Sequence, residues 1–150
     1  MRLIQTLTAV RYLTPVSKKD STIIDTINAR VEAGQGPMQP REIRFLVQVW
    51  HNATMVHQFF KSRCGDRKDS NGQYLVYWTD LDVLLLLCQQ VLACNAAAGR
   101  LLPPATEYAC GPTVIDDAYF DILRETVEVL TEITKSVDPE HFDFHYFAEV

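Results

Sequence analysis

An α+β fold, mainly helical, is what the sequence predicts: three to four helices around one central buried helix, with a small antiparallel sheet. Three observations lead there. Two windows, 81–92 and 119–133, repeat apolar residues at helical spacing. Residues 41–64 carry apolar side chains over most of a helix's circumference, as a helix in the middle of a core does. Short runs at 5–13 and 74–78 alternate or are rich in β-branched and aromatic residues, as strands are.

The elements follow in order. Leu7, Ala9, Arg11 and Leu13 alternate with Thr6, Thr8, Val10 and Tyr12, a strand that ends before Pro15. Ser21 suits the start of a short helix to Glu32 with Ile23, Ile24, Ile27 and Val31 on one face, after which Gly34, Gly36, Pro37 and Pro40 break the chain. Residues 15–40 read as an insert. From Arg41 to Cys64, Ile43, Leu46, Val47, Trp50, Ala53 and Phe60 form one stripe, and Phe45, Val49, Val56 and Phe59 a second. A charged turn with Asn71-Gly72 leads into the strand Tyr74–Trp78. Thr79 stands where an N-cap belongs, with Asp80 and Asp82 in the first turn and Leu81, Leu84, Leu85, Cys88, Val91 and Leu92 forming the buried stripe. Pro103, Pro104, Gly111 and Pro112 keep the next segment irregular. The last helix starts near Thr113 and turns Tyr119, Ile122, Leu123, Thr126, Val127, Leu130 and Ile133 inward under an acidic outer face. Residues 138–150 form an extended tail.

At 150 residues and 47% hydrophobic content the chain suits a single domain, 1–150, with its own core. Fourteen Lys and Arg against nineteen Asp and Glu give a net charge of −5, which argues against bulk nucleic-acid binding. The start lacks the apolar core of an export signal, and the longest apolar run, Val83–Cys88, is far below the ~20 residues that span a bilayer. Cys64, Cys88, Cys94 and Cys110 form no CxxC pair, which fits reduced thiols in a cytoplasm. No nucleotide-hydrolase or serine-hydrolase motif occurs, and no cofactor is expected; a non-enzyme is the favoured reading, with catalysis left open only to scattered residues that no motif marks.

The candidate binding residues are Trp50, Asn52 and His57 on the predicted central helix, with Asp117 and Tyr119 beyond the loop. Seven residues separate Trp50 from His57, two helical turns, so the rings project along nearly one line. They are either core residues, with one buried hydrogen bond satisfying the imidazole, or a pocket wall. In the second case the indole stacks a planar ring and the imidazole hydrogen-bonds it. The 101–112 loop either closes over that pocket or is merely rigid, and Asp116 and Asp117 are equally ordinary helix-start carboxylates. In the tail, His141, Asp143 and His145 share one face of a strand and Phe142, Phe144 and Tyr146 the other. The polar triplet is a weak metal candidate and more simply a solvated face; the apolar side is a candidate assembly contact, which admits a homo-oligomer.

The stretch VWHNATMVHQFF resembles a family of small bacteriophage and prophage proteins of no settled activity, whose central helix reads W-x6-H-x-[WF]-[FV]; Trp50, His57, Phe59 and Phe60 match it. The similarity continues through Leu101-Leu102-Pro103, Gly111, Asp116-Asp117 and Tyr119-Phe120 to Leu123, while the first forty residues and Ala109-Cys110 depart from the pattern. The resemblance implies a phage accessory protein acting in an infected bacterial cytoplasm. Three readings follow, in order of preference. The first is a non-enzymatic binding protein that captures a small ligand such as a nucleotide signal, in an anti-defence role. The alternative is an inhibitor or assembly factor that grips a host protein through the acidic helix face and aromatic tail. A metal-dependent hydrolase at His141, Asp143 and His145 ranks third.

Overall fold

Alternation near the N-terminus produces the strand on which the rest is assembled. A computed structural model describes residues 2–14, 16–30, 39–108 and 114–150. In chain order the elements are β1 (Ile4–Tyr12), α1 (Lys18–Arg30), β2 (Glu42–His51), α2 (Thr54–Cys64), β3 (Tyr74–Val76), α3 (Trp78–Ala93), α4 (Ala98–Leu101), α5 (Asp117–Ser136) and β4 (Asp143–Glu149). Single 3₁₀ turns lie at Gly65–Arg67 and Asn95–Ala97. The fold is α+β, and its antiparallel sheet has the order β2-β1-β4-β3.

The predicted central helix over 41–64 does not exist as one element. Residues 42–51 form strand β2, paired along β1 from Tyr12↔Glu42 to Ile4↔His51, and only 54–64 are helical. The reason is local and then tertiary. EIRFLVQVWH is β-branched and aromatic, so its apolar residues satisfy a two-residue period as well as a helical one, and β1 supplies the partner. Asn52 then turns the chain at φ 57°, in the left-handed region that asparagine tolerates. Its backbone N–H donates to the Leu3 carbonyl at 2.8 Å and its Oδ1 accepts from the Leu3 N–H at 2.9 Å.

Burial alternates along β1, with Gln5, Leu7 and Ala9 inward. They meet Trp50, Phe144 and Tyr146 on neighbouring strands and Val56, Phe60, Leu84, Cys88, Leu123 and Leu130 from α2, α3 and α5. The tail is no free arm: β4 pairs with β1 on one side and β3 on the other, so its backbone is spent inside the sheet. Its aromatic face, Phe144 and Tyr146, fills the core as the alternation predicts, which corrects the idea of an assembly contact there.

Within the 15–40 insert, α1 is anchored by Asp20, which accepts from Arg11 Nη2 at 2.8 Å and from the Thr14 N–H and hydroxyl at 3.0 Å each. Val31, Gly34, Gly36, Pro37 and Pro15 lie outside the described residues, as do Cys110, Gly111, Pro112 and Thr113. The cap of α3 falls on Tyr77 rather than Thr79. Asp116 is the cap of α5, accepting from the Tyr119 N–H at 3.0 Å. No helix among the described residues is long and apolar enough to cross a membrane.

Candidate functional site

Trp50 and His57 do not share a helix line, because the turn at Asn52 separates the strand that carries one from the helix that carries the other. Trp50, at the inward end of β2, is 2% exposed, and its indole N–H donates to Thr126 Oγ1 at 2.9 Å. That hydroxyl donates in turn to the Ile122 carbonyl at 2.8 Å. Thus the indole edge joins β2 to α5. Tyr119 is fully buried and donates its hydroxyl to the Leu102 carbonyl at 2.7 Å, while burial pushes its phenol up to about 12. Asp117 is exposed in the first turn of α5.

His57 belongs to a buried polar chain. Gln5 Oε1 accepts from the Ala53 N–H at 3.0 Å, which orients the amide so that Nε2 donates to the Ala53 carbonyl at 2.8 Å and to the Tyr146 hydroxyl at 3.2 Å. Tyr146 lies 2.9 Å from His57 Nδ1, and Tyr108 lies 3.0 Å from His57 Nε2. The donor inventory assigns the protons. With its oxygen already accepting from Gln5, Tyr146 donates its hydroxyl proton to Nδ1. Nε2 then carries the imidazole hydrogen and donates to Tyr108. Burial, helped by the charge of Lys61, lowers the His57 pKa, which favours the neutral ring. Burial also drives the Tyr146 phenol well above its ordinary value.

The outer end of this chain reaches the 103–108 loop. Besides Tyr108 on His57, the loop is held on α2 by Glu107, whose carboxylate accepts from Lys61 Nζ at 3.0 Å with both side chains about half exposed. Two cavities flank this corner. One, of about 330 Å³, is polar and lined by Gln58, Lys61 and residues 103–107. The other, of about 410 Å³, is mostly apolar, with Met55, Phe59, Val83, Leu87 and Leu101 among its walls. Gln58 and Pro103 line both. Neither Trp50, Asn52, His57, Asp117 nor Tyr119 lines them; Tyr119 comes near through its bond to Leu102, a wall of the apolar cavity, and His57 through Tyr108, the neighbour of Glu107.

A third cavity, of about 430 Å³, opens between the end of β1, the start of α1 and the approach to β4; Arg11, Lys19, Asp20, His141 and Asp143 are among its walls. His141 precedes β4 and turns onto Asp138 at 2.7 Å, so the His141, Asp143 and His145 triplet is not assembled. Among the described residues no group of three or more His, Cys, Asp or Glu side chains is placed to hold a metal ion.

Sequence reading missed Gln5, Tyr108, Lys61 and Asp80. Gln5 had a visible signal, a polar residue on the same alternation as Leu7 and Ala9. Asp80, read as a helix-dipole carboxylate, is 2% exposed and accepts from Arg63 Nε at 2.7 Å, Arg67 Nη1 at 2.8 Å and the Tyr77 N–H at 2.8 Å. Burial is the largest single influence on it and opposes ionisation, yet the Arg67, Tyr77 and Arg63 hydrogen bonds together hold its carboxyl below the ordinary range. This cluster locks the end of α2 to the start of α3, one wall of the apolar cavity.

No family model, no curated protein and no solved structure matches the chain. The functional reading therefore rests on the geometry of the site.

Proposed function

We propose that this chain is a non-catalytic binding protein that captures a small ligand with a flat apolar part and a polar or anionic end, a nucleotide being the simplest molecule of that description. The observation that carries the reading is the adjoining pair of cavities that share Gln58 and Pro103, polar around Lys61 and apolar around Phe59. Each falls within the roughly 300–1,000 Å³ range of small-molecule sites. Phe59, not the sealed Trp50, is the aromatic wall available to a planar ring. An incoming phosphate replaces Glu107 on Lys61 at little cost, since an exposed ion pair of this kind contributes about 0–1 kcal/mol. His57 acts as a positioning residue, holding the loop through Tyr108. In the phage setting implied by the resemblance, such a protein withdraws a nucleotide signal by stoichiometric binding.

The test is calorimetry and thermal melting against a panel of mononucleotides and cyclic dinucleotides. A ligand at about a hundredfold excess over Kd stabilises by about 2.7 kcal/mol, roughly 5–10 °C in Tm for a chain of this size. Lys61→Ala and Phe59→Ala each weaken binding about tenfold or more, as loss of a charge-assisted bond or an aromatic contact does, and Trp50→Phe leaves affinity unchanged. Silence across the panel, or full affinity in both Lys61→Ala and Phe59→Ala, ends the proposal.

One observation favours the reading as a host-protein inhibitor: Asp117, Asp121, Glu125, Glu128 and Glu132 form an exposed acidic stripe along α5. Salt-sensitive capture of one basic host protein, abolished by Asp121→Lys with Glu128→Lys, would support it over ligand capture.

A further inference from the structure

The two edges of the sheet are finished differently. β3 is only three residues long, which blunts its edge. At the other edge β2 runs for ten residues, bonded among the described residues to β1 alone, with Phe45 50% and Leu46 64% exposed. These neighbours project to opposite sides of the strand, so apolar surface straddles the free edge. From these features we infer that β2 pairs antiparallel with β2 of a second copy of this chain, joining two sheets into one.

The register follows from symmetry and charge. A two-fold axis relating antiparallel strands stands normal to the sheet and keeps every side chain on its own face. It must therefore fall between one residue and its own copy, which face each other across the pair. Centring on Glu42 or Arg44 sets like charges against each other, which destabilises a cross-strand pair. Between Leu7↔Gln48 and Thr8↔Leu46 the ladder shifts, leaving Val47 as the extra residue of a bulge. Centring on Phe45 or Leu46 brings that bulge into the pairing. Centring on Ile43 avoids both problems. It sets Glu42 opposite Arg44 of the second copy, twice by symmetry, and Arg41 opposite the exposed Phe45 ring. Within one chain Arg44 Nε already reaches Glu42 Oε1 at 2.7 Å, so the two charges share one face, while Arg44 Nη1 touches Gln73, just before β3, at 3.5 Å; its side chain thus leans back over the sheet and swings out to the edge on pairing.

Analytical ultracentrifugation of the full chain tests this. Wild type is expected to dimerise. Glu42→Arg and Arg44→Glu each weaken the dimer about tenfold, because two attractive cross-strand pairs become repulsive, and the double exchange E42R/R44E restores it to within about threefold, since the opposite-charge pairing is regained. Ile43→Cys, on the axis, forms an interchain disulfide under mild oxidation that Leu46→Cys does not, with wild type controlling for native thiols, because facing residues lie within disulfide reach. Circular dichroism melts confirm that each variant folds. A wild-type chain monomeric at 200 µM-scale loading, about the limit for weak association, overturns the proposal. So do single reversals that associate as well as wild type, since the two charges would then only guard the edge.

Discussion

Tyr146→Phe removes one oxygen from the middle of the buried chain and leaves the packing around it in place, since the ring at this position keeps its stack on Phe60 at 4.3 Å between centroids. What is lost is the bond to His57 Nδ1 at 2.9 Å and the acceptor for Gln5 Nε2 at 3.2 Å. Gln5 keeps its donation to the Ala53 carbonyl, so the amide stays satisfied. His57 Nδ1 does not: on a residue only 6% exposed it becomes a buried acceptor with no donor, which costs about 1–3 kcal/mol. About 2 kcal/mol corresponds to a fall in Tm of roughly 4–8 °C for a domain near this size. Tyr108→Phe removes the bond at the other ring nitrogen, but Tyr108 is half-buried and Nε2–H gains access to water there. That change costs about 0.5 kcal/mol, or roughly 1–2 °C. Thermal melts followed by far-UV circular dichroism at pH 7.5, where the imidazole is neutral, measure both. Equal losses for the two variants, or a larger one for Tyr108→Phe, would refute the proton assignment and the inward direction of the chain.

Three further outcomes follow from the same structure. Because the folded state lowers the His57 pKa below its ordinary 6.5, the unfolded chain binds the extra proton first; stability is full above about pH 6.5 and declines as pH falls toward the folded value, a decline that urea titrations from pH 7 to 5 detect and that His57→Gln flattens. Asp80→Ala strands Arg67 and the Tyr77 N–H while the half-exposed Arg63 turns to water, so it costs about 2–4 kcal/mol and lowers Tm by roughly 4–16 °C; a change under about 2 °C would show that the cluster is not a structural lock. Asn52→Ala loses the bond to the Leu3 N–H and places a methyl-bearing residue at φ 57°, costing about 1–3 kcal/mol, whereas Asn52→Gly keeps the turn and loses about 1 kcal/mol less; denaturant midpoints that rank the two the other way would contradict this account of the turn.

Much of the architecture was legible because it depends on near neighbours in the chain. The strand at β1, the stripes of α3 and α5 and the alternation of β4 need only side-chain periodicity and the preference of apolar groups to leave water. Residues 42–51 were illegible for the same reason: Ile43, Phe45, Val47 and Val49 fit either period, and which one holds depends on β1, some forty residues earlier, offering its edge. A local pattern cannot report a distant partner. His57 stood out as a polar ring in an apolar stretch, but its role comes from Tyr146 and Gln5, which lie 89 and 52 positions away. The Asn52 turn then decided what no spacing reveals. By ending β2 and starting α2 in a new direction, it sealed Trp50 against Thr126 and left Gln58, Phe59 and Lys61 to face the cavities. Composition thus determined that a core would form and which residues would enter it; the folded chain decided which polar groups meet there, because hydrogen bonds act over a few ångströms whatever the separation in sequence.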